Sequence, residues 1–128
     1  MSNRRMFLLI QTALGLAAAS RLGTQEPQSR LSRKQLKELI AVARTAADHQ
    51  TIAAHFRGEQ ERHEQDRQEH EEMRKEYERN SSRYPGKYPT MGDHCRSLAG
   101  YAGLSAKQAQ AMAAMHEKIA QEIEKKTN

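Results

Sequence analysis

From Ser32 to Arg79 the chain contains no proline and a single glycine, Gly58. Nothing in that stretch forces a stop, so it predicts one helix over about 32–79, some 48 residues or about 70 Å at 1.5 Å per residue. Its start is marked as well. Ser32 is placed to cap, Gln35 to reach back to the cap, and Leu31 to staple against Leu36. Its end is marked more strongly, because Asn80 to Pro89 packs Pro85, Gly86 and Pro89 among polar residues and no helix tolerates that. Thr90 with Asp93 forms a second capping box and opens a second arm over about 91–125. A long helix, a breaking loop and another helix make an antiparallel helical hairpin, all-α with no strand. Gly100 and Gly103, followed by Ser105 and Gln108 in a repeat of the Ser32 arrangement, predict a break near Gly103. The second arm then divides into 91–102 and 106–125.

Composition agrees with this plan. Only 37% of the 128 residues are hydrophobic and the mean hydropathy is −0.94, which is too little apolar material for a thick core and enough for a helix-on-helix seam. No Trp and two Phe leave little to build a sheet.

Residues 1–20, MSNRRMFLLIQTALGLAAAS, have a basic start, an apolar run from Met6 to Ala19 and small residues at Ala17, Ala19 and Ser20. That is the pattern of a secretory signal with cleavage after Ala19 or Ser20, and it predicts a periplasmic or extracellular protein. The apolar run falls short of the roughly 20 residues that span a bilayer, so no permanent membrane span is expected after cleavage; an uncleaved anchor is the alternative. Asn3 to Leu9 resembles the twin-arginine signal family, whose pattern is two arginines, any residue, Phe and Leu. That resemblance implies export in the folded state, a route taken by proteins that acquire a metal or cofactor first. Residues 21–31, with Gly23 and Pro27, form a flexible tether, and 32–128 form the helical hairpin domain.

The formal charge of +5 includes Arg4 and Arg5; without them 19 basic residues face 16 acidic ones. Those charges are interleaved along the helices and few aromatics accompany them, so no nucleic-acid partner is expected.

Steps of three and four residues along the first helix pass through Val42, Thr45, His49, Ile52, Phe56, Glu59, His63, Asp66, His70, Met73 and Tyr77. The same steps along the second arm run from Met91 and His94 through Leu98, Tyr101, Ser105, Gln108, Met112 and Met115 to Ile119 and Glu122. Cys95, Ala102, Ala109, His116 and Ile123 lie alongside. Folding about the loop pairs positions whose numbers sum to roughly 170, which sets Met115 near Phe56 and Tyr101 near His70.

Glu59, His63, Asp66 and His70 put two imidazoles and two carboxylates on one helical face, a donor set suited to Zn, Cu or Ni. The competing reading is a solvated helix held by i, i+4 charge pairs, in which these histidines are ordinary polar residues. His94 and Cys95 stand at the positive end of the second arm's dipole, where a reactive thiol or metal ligand would be favoured; a buried inert cysteine is the alternative. Cys95 is the only cysteine, so no intramolecular disulfide can form. The chain has no Ser-His-Asp order, no Gly-rich phosphate loop and no CxxC, so no catalysis and no obligatory cofactor are expected.

The segments LSRKQLKEL (31–39) and LSAKQAQAM (104–112) resemble the Leu-Thr-x-x-Gln motif of small periplasmic helical-hairpin proteins, which implies a role in envelope stress or metal resistance. His94-Cys95-Arg96-Ser97-Leu98-Ala99-Gly100-Tyr101 and the later Met112 to Ala120 resemble uncharacterised exported bacterial helical-hairpin proteins that share an HCxxLAxxY segment. The leading expectation is an exported non-enzymatic accessory of the envelope, structural, chaperone-like or stress- and metal-sensing, that forms a homodimer or docks on an envelope partner. The alternative is a periplasmic transition-metal-binding protein.

Overall fold

A computed structural model describes residues 30–128; the expected signal segment and nearly all of the expected tether lie outside the described residues. Ser32 caps the first helix, α1 (Arg33–Val42). Its hydroxyl accepts from the Gln35 N–H at 3.1 Å, while the Gln35 side chain accepts from the Ser32 N–H at 2.9 Å. The expected single helix over 32–79 then divides. Ala43 leaves the helical region, and Thr45, extended at φ −96° and ψ 159°, caps a new helix, α2 (Ala46–Arg79). The cause is a second capping box inside the run. The Thr45 hydroxyl accepts from Asp48 N–H at 3.0 Å, and the Asp48 carboxylate accepts from both the Arg44 and Thr45 N–H groups at 3.0 Å. The turn folds α1 back along α2, where the Leu31 N–H donates to His55 Nδ1 at 3.1 Å.

After α2 the loop turns through Asn80 to Ser82, and Tyr84 sets its ring edge-on to Tyr77 with centroids 5.0 Å apart. Thr90 and Asp93 make the expected capping box and start α3 (Met91–Thr127). α3 does not break near Gly103, contrary to expectation. Two glycines cost a helix about 1 kcal/mol each, and ending it there would sacrifice the seam on which α3 packs. At Gly103 the missing side chain also has a use, since a Cβ would stand 3.3 Å from Cδ of Arg67 on α2.

α2 and α3 form the antiparallel hairpin, and no strand occurs among the described residues. The predicted register holds. Gln50 with Glu124, Arg57 with Glu117, His49 with His116, Arg67 with Gly103 and Arg96 with Glu78 all pair at sums between 165 and 174. The phase of α3 does not. Its buried residues are Gly92, Cys95, Ala99, Ala106, Ala109, Ala113 and Ala120, one step along from the predicted stripe of large residues. α2 offers Ile52, Phe56, Arg67 and Arg74 to the interface, and only a small-residue stripe lets the helices close over such side chains. Ile52 and Ala113, both at 0% exposure, mark the centre of the core. None of the described helices is long and apolar enough to cross a membrane.

Candidate functional site

The four predicted metal ligands do not converge. Glu59 is shared: its Oε1 meets the Arg62 guanidinium and stands 3.6 Å from His55 Nε2, while its Oε2 stands 3.8 Å from His63 Nε2. Asp66 is exposed, and His70 is half-buried with its Nδ1 enclosed and without a hydrogen-bond partner. Among the described residues no group of three or more His, Cys, Asp and Glu side chains is arranged to hold a metal ion. An arginine on the shared carboxylate disfavours a cation there, because it already supplies the positive charge.

His94 and Cys95 are also parted. Cys95 enters the α2–α3 seam and is 7% exposed, and His94 is exposed on the outer side, as neighbours about 100° apart on a helix must be.

The histidine pair that the fold does assemble is one the sequence reading missed. His49 Nδ1 on α2 lies 3.0 Å from His116 Nδ1 on α3, with the rings stacked 5.2 Å apart at 25°. Phe56 stacks on His116 at 6.3 Å, and His55 meets the Phe56 edge at 5.4 Å. One of the facing nitrogens must carry a proton and the other must not. Burial first, and then the charge of His49, hold the His116 imidazole below its ordinary 6.5. The register was a partial signal: 49 and 116 sum to 165, five residues or about a turn and a half from the predicted 170.

The arrangement with the clearest chemical character is the outer face of α3. Met91, Leu98, Met112 and Ile119 stand at heptad positions whose middle member is Ser105, with Tyr101 and Met115 between them, and these side chains are 38–67% exposed, as is Leu104 on the flank. This is the stripe expected to meet α2, rotated outward by the burial of the small-residue stripe beside it. The face holds no Asp, Glu, Lys or Arg from Met91 to Ile119, and Lys107 is the only such residue between Ser97 and His116 on any side. In a chain that is 29% charged, a helix face about 40 Å long without a charge is built for contact.

No family model, no curated protein and no solved structure matches this chain.

Proposed function

We propose that the protein is an exported, non-catalytic helical accessory of the cell envelope that works by presenting the outer face of α3 as a contact surface. The observation that carries this reading is the uncharged stripe of large apolar side chains at heptad spacing that the other described helices leave uncovered. The N-terminal sequence pattern supports export.

Oxidative footprinting of methionines tests it. Met91 and Met115 lie on the face, 50% and 62% exposed, and Met73 on α2, 42% exposed, serves as the internal reference. In cells, Met91 and Met115 are expected to oxidise several-fold more slowly relative to Met73 than in dilute purified protein. Equal ratios in the two settings would sink the contact-surface reading, and recovery of the chain only from the cytoplasm would sink export.

A further inference from the structure

We infer that the outer face of α3 is covered by the same face of a second copy, the two α3 helices antiparallel, giving a dimer with the order α2, α3, α3 and α2. The inference rests on the reading of this face as a contact surface and adds the identity of its occupant.

α3 carries two heptad seams one residue apart. The inner one is small and is filled by α2; the outer one is large and has the same a/d spacing that a coiled-coil partner requires. The area is sufficient. Seven large apolar side chains exposed by 38–67% offer at most on the order of 700 Å² per copy, so two faces can remove up to roughly 1,400 Å² from water, within the range of specific interfaces.

The sequence of the stripe also selects a register. With antiparallel helices offset so that paired positions sum to 213, Leu98 meets Met115, Tyr101 meets Met112 and His94 meets Ile119. The polar residues Ser105 and Gln108 then meet each other at the two-fold axis. A slip of one heptad in one direction sets Gln108 on Leu98, and in the other sets Ser105 on Met115. The matched register leaves mixed contacts only at its outer ends, His94 on Ile119 and Glu122 on Met91, whereas each slip also sets polar residues from the centre of the stripe on apolar ones and loses the mutual Ser105–Gln108 hydrogen-bond layer. Parallel pairing matches polar with polar too, but it brings Glu122 against its own copy and Lys118 close to its own copy. The antiparallel arrangement separates those like charges and opposes the helix dipoles.

Sedimentation of the full chain is expected to give twice the 14.6 kDa of one copy. Leu98→Glu with Met115→Glu, both at exposed positions of the single chain, should keep the helical circular dichroism and weaken association by roughly a hundredfold or more, because each buries an unpaired carboxylate. Association that persists in this variant runs through another part of the chain and overturns the inference. Orientation is read by cysteine pairing. Ser105→Cys mixed with Gln108→Cys should cross-link on mild oxidation, and Ser105→Cys alone should do so far more slowly; the reverse ranking would establish parallel pairing. A monomeric native chain also overturns the inference. If the methionine protection in cells survives that result, the face serves a different partner and only its occupant was misassigned; if both are absent, the contact-surface reading fails with it.

Discussion

One side-chain pair that ties the stability of this protein to pH is His49 with His116. Their Nδ1 atoms, 3.0 Å apart, tolerate one shared proton and repel when both imidazoles are charged. His116 sits below 6.5 in the folded chain, so the folded state binds fewer protons than the unfolded one. Stability from this pair is therefore complete above the unfolded value and is lost as pH falls through it toward the lower folded value. The capping carboxylates Asp48 and Asp93, held low chiefly by the backbone N–H groups of Arg44 and Thr90, and Glu117, held low by Arg57, act in the same direction but in a more acidic window. Melting temperature should thus drop between about pH 7 and pH 5, and His116→Gln should flatten that part of the curve while leaving the fall at lower pH. An unchanged slope in the variant would remove the pair from the explanation.

At the scale of the helix, what was legible in the sequence was local. The Ser32 and Thr90 capping boxes and the Asn80–Pro89 stop use short-range chemistry that the chain spells out, and the loop then fixes the register between arms. The Thr45–Asp48 box has the same spacing as Thr90–Asp93, yet it lies inside a run with no Pro and no Gly before Gly58, so the sequence around it reads as helix interior. The phase of α3 was not local at all. Large side chains dominate any reading of hydrophobic period, whereas the choice of inner face turned on volume, with alanine and glycine yielding room to Phe56, Arg67 and Arg74. The glycines of α3 separate these two kinds of information experimentally. Nothing stands within 4 Å of a Cβ at Gly100, so Gly100→Ala should gain about 0.5–1 kcal/mol in chemical denaturation. Gly103→Ala should gain less, because the Arg67 stem must shift from 3.3 Å.

Across the whole molecule the hairpin is unevenly built. Every buried residue of α2, from Ile52 to Gly58, lies in its first half, together with the His49–His116 and Arg57–Glu117 links to α3. Toward the loop, α2 offers His63, Arg67, His70 and Arg74, half-buried and paired mostly with glutamates on its own helix, and such pairs contribute little. Amide exchange should therefore be slowest in residues 49–58 and 106–120 and at least about tenfold faster in 64–79 and 91–100. Uniform protection along both arms would contradict this gradient.

That gradient bears on the one sulfhydryl. Cys95 is enclosed between the arms in the half of the hairpin expected to open first, so a bulky disulfide reagent reaches it only when the loop end unzips. The protein thereby carries an intrinsic reporter: the rate at which Cys95 is capped by an oxidised small thiol measures how often the arms part, with no label introduced. In an oxidising compartment the same encounter would leave the arms wedged apart, turning a momentary opening into a lasting chemical mark.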